Sequence, residues 1–75
     1  KRRKVWENEF GEQVTGICPA SICQNVLKKS VKNGFQCGHI VSEYNGGATE
    51  VKNMRPICSG CNQSMGKKNW GDWDK

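Results

Sequence analysis

The sequence predicts a small α+β domain whose apolar core is too small to stabilise it without a cross-link, a bound metal ion or a partner. A chain of 75 residues buries only a thin core, and domains of this size usually rely on disulfides, a metal ion or a partner. Five cysteines are a high count for this length. The second half of the chain also holds two strand candidates followed by a helix candidate. These three observations together predict the fold class.

The chain divides into three parts, which we expect to form one domain, residues 1–75. Residues 1–17 hold aromatic and aliphatic side chains among polar ones without a clear period, so we expect an arm that lays its aromatics on the core. Residues 18–34 run from the first cysteine pair to a turn. Residues 35–69 contain the strand and helix candidates and form the expected structural centre of the domain.

The segment after the first cysteine pair gives a mixed signal. Ile22, Val26 and Leu27 are spaced for a helical turn, whereas Val31 fits the continuation of a strand equally well. Asn33-Gly34 is typical of a tight turn, and we expect one there.

The central segment predicts the order strand, loop, strand, knuckle, helix. Residues 35–41 are the first strand candidate and residues 42–47 the loop. Residues 51–57 are the second strand candidate, and the proline near its end places it at a sheet edge. Residues 58–61 are the knuckle, and residues 62–68 can form a short helix.

Four of the cysteines form two closely spaced pairs. Cys18 and Cys23 are five positions apart, and Cys58 and Cys61 are three apart. Both spacings are used by structural zinc knuckles, where four thiolates bind Zn²⁺ tetrahedrally. The odd number of cysteines also argues against a fully paired disulfide framework. We therefore expect a structural Zn²⁺ ion on these four residues.

Cys37 is the cysteine left over, and its role stays open. Alternation along a strand puts Cys37 and His39 on one face, so Cys37 is expected near the histidine or as a substitute ligand for the zinc. The simpler interpretation, which we prefer, is a small buried apolar residue.

The charge balance favours a polyanionic partner. Twelve Lys and Arg against seven Asp and Glu give a net charge of +5. A zinc ion on four thiolates would reduce this to about +3. The basic residues cluster in residues 1–4, at Lys28, Lys29 and Lys32, and at Lys67 and Lys68. Such clusters also occur as solvated surface, so charge alone leaves nucleic acid and plain solvent exposure as equal alternatives.

The sequence shows no secretory signal and no long apolar stretch. This predicts an intracellular, reducing compartment and no membrane association.

Three motifs follow one another in a recognisable order: "GHIVSEYNGG", "NMRPIC" and "CNQSMG". In order and spacing they resemble the HNH, or ββα-metal, endonuclease family over residues 35–68. With the first cysteine pair, the resemblance extends to the zinc-stapled members of that family. It implies a two-stranded hairpin plus helix, and metal-dependent hydrolysis of nucleic-acid phosphodiesters, with DNA as the expected substrate.

The residue types in these motifs suit that chemistry. Histidine titrates near neutral pH, and His39 is the only histidine, which makes it the expected general base. Asn62 offers a neutral oxygen, the ligand type that Mg²⁺ or Mn²⁺ accepts. By the resemblance, Asn53 would brace the loop through hydrogen bonds to the backbone. The zinc site would then hold Asn62, next to Cys61, at a fixed distance from His39.

Several basic and aromatic residues are candidates for contact with nucleic acid. Arg55 matches phosphate geometry, although a surface arginine with no such role is an equal alternative. Lys67 and Lys68 are the last two residues of the helix candidate and are expected to contact the phosphate backbone. Trp70 and Trp73 fit core packing better than base stacking.

The chain departs from the family pattern at two positions. Gly38 stands where many members carry an acidic residue or histidine as a second metal ligand, and Asn62 stands in place of the final histidine. A related branch of nonspecific nucleases also has glycine before its histidine and is similar in using asparagine as its metal ligand.

Other function classes remain open. The alternative to a nuclease is a zinc-stapled module that binds nucleic acid without cutting it. A redox role for Cys37 lacks a second free cysteine. Substrate specificity would come from a homodimer or from a longer parent chain.

Overall fold

A computed structural model describes residues 2–21 and 23–74. In chain order the elements are α1 (Arg2–Phe10), β1 (Thr15–Ile17), β2 (Val26–Lys28), β3 (Gln36–His39), β4 (Met54–Ile57), α2 (Ser59–Met65) and α3 (Trp70–Trp73). Two 3₁₀ turns, Glu43–Asn45 and Val51–Asn53, lie between β3 and β4. Lys1 and Ile22, which entered the sequence predictions, lie outside the described residues.

The central unit is a hairpin of β3 and β4 followed by α2, which confirms the predicted α+β class. The two strands are antiparallel, with Gln36 opposite Ile57 and His39 opposite Met54. Gly38 faces the core: a Cβ at this position would lie 3.0 Å from Ile57 Cγ2 and 3.4 Å from atoms of Met65 and Trp70. A larger side chain at position 38 would therefore push apart the hairpin and the helices that cover it.

The second strand is shorter than the sequence predicts. Residues 51–53 form a 3₁₀ turn, and the strand begins only at Met54. The Asn53 side chain is bonded to the loop backbone, as described below, so this stretch closes the loop instead of extending the hairpin. Pro56 lies inside β4 opposite Cys37, where a two-stranded sheet accommodates a residue without an N–H.

The last helix of the central unit starts earlier than predicted. It begins at Ser59, because Cys58 acts as its N-cap and its Sγ accepts a hydrogen bond of 3.3 Å from the Cys61 N–H. The knuckle and the first helical turn are thus one structure, which places Cys61 and Asn62 on regular helix.

The N-terminal arm is a helix, which its irregular apolar spacing did not predict. Val5 and Trp6 of α1 are fully buried. The Trp6 ring lies 5.0 Å from the Phe35 ring and 4.6 Å from the Phe10 ring, centroid to centroid. The prediction that the arm lays aromatics on the core is therefore confirmed, although its secondary structure was missed.

The segment that suggested a helical turn is a strand. Val26–Lys28 pairs with Thr15–Ile17 in an antiparallel hairpin. Leu27 points into the core, while Val26 and Lys28 are exposed, so the period is two instead of 3.6. The predicted tight turn is present: Asn33 has a φ of 59°, and the Gly34 N–H bonds to the Val31 carbonyl at 2.8 Å.

The C-terminal tryptophans belong to α3. Trp70 is buried, and its ring meets that of Trp73 edge-on at 6.2 Å. This agrees with the preferred interpretation, core packing. Among the described helices, none has the length and apolar character required to cross a membrane.

Candidate functional site

Four cysteines come together between the two hairpins. Cys18 follows β1, Cys23 lies in the loop before β2, and Cys58 and Cys61 occupy the start of α2. Their Sγ atoms all lie within 4.8 Å of one another, and those of Cys23 and Cys58 are 3.6 Å apart. Zn–S bonds of about 2.3 Å in a tetrahedron separate neighbouring sulfurs by about 3.8 Å. The cluster therefore fits a single metal ion such as zinc.

Hydrogen bonds prepare this cluster for a cation. Burial raises the pKa of the Cys58 thiol, but hydrogen bonds from the Cys61 backbone N–H and the Asn25 amide outweigh it and bring this pKa to about 6. The pKa of Cys61 is raised, chiefly by burial and then by the adjoining thiols of Cys58 and Cys23. The cluster thus holds one cysteine that loses its proton easily, Cys58, next to other thiols. A divalent cation bound there would favour the thiolate form of all four.

Cys37 does not belong to the cluster. It lies in β3, half-buried against the core, and burial raises the pKa of its thiol. The alternative in which Cys37 replaces a zinc ligand is wrong, because the sulfur atoms that lie within 4.8 Å of one another are those of the other four cysteines.

His39 and Asn62 line the same cleft, a cavity of about 220 Å³. We call it the active cleft. Its lining consists of His39, Ser42, Glu43, Tyr44, Asn62, Met65, Gly66, Lys67 and Lys68. The end of β3 supplies the histidine, the first turns of α2 supply Asn62, and the segment after α2 supplies the lysines. The folded chain thus brings together four of the site residues named from the sequence.

The His39 ring is held by two residues of the following loop. Its Nε2 lies 3.2 Å from Thr49 Oγ1, and this hydroxyl donates a hydrogen bond of 3.2 Å to Glu43 Oε2. Because a hydroxyl has one proton and the carboxylate can only accept, the Nε2–H must donate to Thr49. The hydrogen-bond pattern therefore assigns the neutral ring its proton on Nε2 and leaves Nδ1 as the basic nitrogen.

Asn62 is held by a residue that the sequence did not single out. Its amide nitrogen donates a hydrogen bond of 2.8 Å to Oε1 of Gln36, at the start of β3. Because the nitrogen is used in this bond, the oxygen Oδ1 is the side-chain atom left for a metal ion.

Asn53 braces the loop that carries Thr49 and Glu43. Its amide donates to the carbonyls of Val41, at 2.9 Å, and Ala48, at 2.8 Å, and its oxygen accepts from the Val41 N–H at 2.9 Å. Gly47 has to be glycine here, since a Cβ would lie 1.8 Å from the Val41 carbonyl oxygen. The Asn-Gly-Gly motif thus has a structural explanation.

Hydrogen bonds to Asn69 hold the segment after α2, which contains Lys67 and Lys68, against the loop after β3. The sequence did not single out Asn69. Asn69 Oδ1 accepts hydrogen bonds of 3.0 Å from the Ser42 N–H and from the Asn45 amide. Lys67 Nζ lies 4.8 Å from the Tyr44 ring centroid, over its face. Lys67 is therefore held beside the loop that follows His39, and Lys68 lines the same cleft.

Arg55 lies away from this group. Its Nε and one terminal nitrogen donate to the Glu9 carboxylate at 2.9 and 3.1 Å, and its guanidinium stacks on Trp70 at 4.8 Å. The hydrogen bond with Glu9 is the main cause that raises the Arg55 pKa. Arg55 does not line the active cleft, and it ties α1 to the hairpin.

The sequence comparison decides the family. A family model described as HNH endonuclease matches residues 18–68, more than half of the chain. The chain belongs to the HNH endonuclease family. The HNH match spans both cysteine pairs and every residue named above for catalysis, while α1 and α3 lie outside it. No curated protein and no solved structure gives a significant match.

Proposed function

We propose that this HNH protein is a metal-dependent endonuclease that hydrolyses phosphodiester bonds of nucleic acid, with DNA as the expected substrate. The observation that carries the proposal is the shared lining of the active cleft, where a candidate base, a candidate metal ligand and two cations meet. A module that only binds nucleic acid has no need of an oriented histidine and an oriented asparagine in one cleft.

His39 is the proposed general base. The proton on Nε2 is directed to Thr49, so Nδ1 can accept a proton from a water molecule that attacks phosphorus. Glu43 accepts the hydrogen bond of the Thr49 hydroxyl, and its carboxylate lies 4.0 Å from His39 Nε2. Lys67 and Lys68 are the proposed phosphate contacts that hold the substrate strand at the cleft.

Asn62 is the proposed ligand for the catalytic cation. A Mg²⁺ or Mn²⁺ ion bound there would supply Lewis-acid stabilisation of the charge on the departing 3′-oxygen. Within residues 2–21 and 23–74, the cysteine cluster is the only group of three or more His, Cys, Asp or Glu ligands close enough for a metal. The catalytic cation would therefore bind weakly until substrate phosphate completes its shell.

The ion on the four cysteines is proposed to be Zn²⁺ with a structural role. Two of its ligands begin α2, and Asn62 directly follows one of them, so the zinc site would fix the helix that carries Asn62. A zinc site built from four thiolates is expected to persist in a reducing, intracellular compartment.

A single active cleft predicts nicks in one strand, and the family resemblance implies 5′-phosphate and 3′-hydroxyl ends. Double-strand breaks would require a homodimer or a longer parent chain. The phosphate contact expected of Arg55 stays a prediction. Its guanidinium is bound to Glu9, so a phosphate group would have to bind the arginine beside this carboxylate or in its place.

One observation favours the alternative, a module that binds without cutting. Position 38, where many members place a second metal ligand, is a glycine whose Cβ would lie against Ile57, Met65 and Trp70, so this position supplies no metal ligand. Incubation of zinc-loaded protein with supercoiled plasmid, with and without Mg²⁺ or Mn²⁺, separates the two functions. Nicked circles that appear only with the added cation support the nuclease, whereas retention of supercoiled DNA with a mobility shift supports the binding module.

A further inference from the structure

A second cleft lies at the other end of β3. It is formed where the start of α1 meets the turn that follows β2, and its volume is about 450 Å³, against about 220 Å³ for the active cleft. We call it the N-terminal cleft and define it by Arg2, Arg3, Glu7, Lys29 and Phe35. The two arginines lie outside the part of the chain that matches the family.

The N-terminal cleft carries a surplus of positive charge. Its single carboxylate, Glu7, is 3.6 Å from Lys29 Nζ and neutralises that lysine. Neither Arg2 nor Arg3 forms an ion pair with a carboxylate of the described residues. Two unneutralised guanidinium groups beside one open cavity are a chemical match for phosphate.

Arg2 is positioned by the core. Its guanidinium lies 4.2 Å from the centroid of Phe35, over the ring face. A guanidinium stacked in this way keeps the N–H groups of its edge directed outward, so it can bind two phosphate oxygens without losing the ring contact. Phe35 itself is buried against Trp6, so the platform under Arg2 is rigid.

The distance between the clefts suits a nucleic-acid strand. Phe35 directly precedes β3 and His39 ends it, so four residues of extended chain separate the two positions. At about 3.3 Å per residue this is about 13 Å. The phosphates of one strand of duplex DNA rise about 3.4 Å per nucleotide along the axis and also wind around it, so a separation of this size corresponds to a few nucleotides.

We propose that the N-terminal cleft binds the nucleic-acid backbone, a few nucleotides along the strand from the phosphate at His39. The inference rests on the proposed function only in taking nucleic acid as the substrate. It predicts that affinity for nucleic acid depends on Arg2 and Arg3.

Fluorescence anisotropy with a labelled duplex tests this directly. All proteins carry His39→Ala, so that binding is measured without cutting, and zinc content and circular dichroism establish folding. Arg3→Gln and Arg2→Gln are expected to weaken binding about fivefold or more each, and to lower the slope of log affinity against log salt by about one. Lys52→Gln, at a lysine that lines neither cleft, is the matched control and should change affinity by less than about twofold.

A variant that removes a negative charge completes the test, because a damaged fold would weaken binding and could not make it tighter. Glu7→Gln removes the one carboxylate of the N-terminal cleft and should tighten binding about threefold, whereas Glu50→Gln, with the same charge change elsewhere, should tighten it less.

Parent-like affinity of Arg2→Gln and Arg3→Gln, or equal effects of Glu7→Gln and Glu50→Gln, would overturn the assignment of this cleft. Neither result bears on plasmid nicking, which tests the nuclease separately. If the parent protein does not nick plasmid but Arg3→Gln weakens duplex binding, the assignment of the N-terminal cleft stands and the nuclease proposal is wrong.

Discussion

Gln36 and Asn62, 26 residues apart in sequence, meet through a hydrogen bond of 2.8 Å from the Asn62 amide to the Gln36 side-chain oxygen. The bond connects the first residue of β3 to the first turns of α2. It sets which atom of Asn62 remains for a cation, and it links the two elements that carry the candidate base and the candidate metal ligand.

Gln36→Ala should therefore raise the concentration of Mg²⁺ or Mn²⁺ needed for half-maximal cleavage. We expect an increase of about tenfold, the lower end of the usual effect of removing a partner of a metal ligand. Gln63→Ala, at the exposed neighbour of Asn62, is the control and should behave as the parent. An unchanged metal requirement in Gln36→Ala would mean that the bond does not orient a ligand.

Thr49→Val should impair cleavage by removing the acceptor for His39 Nε2–H. The ring then loses its preferred tautomer, and we expect a loss of about tenfold or more. Nitrogen NMR of the ring checks the cause: the parent should show an unprotonated Nδ1, and the variant a mixture. Thr49→Ser keeps the hydroxyl and should retain both the tautomer and the activity. A Thr49→Val protein with parental activity would contradict the assigned role.

Cys58→Ser should release the metal and unfold the domain. Cys58 contributes to the metal cluster and also caps α2, but serine can still cap the helix, so the lost metal ligand is the main effect of this change. Elemental analysis of the parent should give one zinc per chain. Cys37→Ser is the matched control, and its protein should keep the zinc and the circular dichroism of the parent. A folded Cys58→Ser protein without metal would show that the core alone suffices.

Arg55→Gln should lower stability through the loss of its bond to Glu9. The side chains of Arg55 and Glu9 are 34% and 25% exposed, so this pair is better shielded than Lys52–Glu50, whose side chains are 86% and 57% exposed. We expect a decrease of about 1–2 kcal/mol in the free energy of unfolding, measured by urea titration of the zinc-loaded protein. Lys52→Gln should cost less than about 0.5 kcal/mol.

Glu9→Gln separates stability from nucleic-acid contact at Arg55. It breaks the same ion pair but keeps the arginine. If Arg55 also contacts phosphate, Arg55→Gln weakens binding more than Glu9→Gln does. Equal binding by the two variants would limit Arg55 to its structural role.

The parts of the site that were predictable from sequence come from short local motifs. Closely spaced cysteines identify a metal cluster because a knuckle needs its ligands on one turn. Gly47 and Asn53 stand in a motif whose geometry is local: the glycine lies against the Val41 carbonyl, and Asn53 bonds to the same residue.

The parts that were missed depend on distant partners or on burial. Gln36 and Thr49 are ordinary polar residues in sequence, and only the fold brings them to Asn62 and His39. Helix α1 was missed because only two of its nine residues are buried, so it shows no apolar stripe. Nothing in the sequence around Arg55 reveals its partner Glu9, 46 residues away.

The rate of plasmid nicking by His39→Ala, beside the parent, tests the central claim most directly. Both proteins should contain equal zinc, give the same circular dichroism and bind duplex with the same affinity, since His39 contributes to none of these. With saturating Mg²⁺ or Mn²⁺, the variant should nick at least about a hundredfold more slowly, the usual scale for loss of a general base. Nicking by His39→Ala at the parental rate would contradict the assignment of His39 as the base.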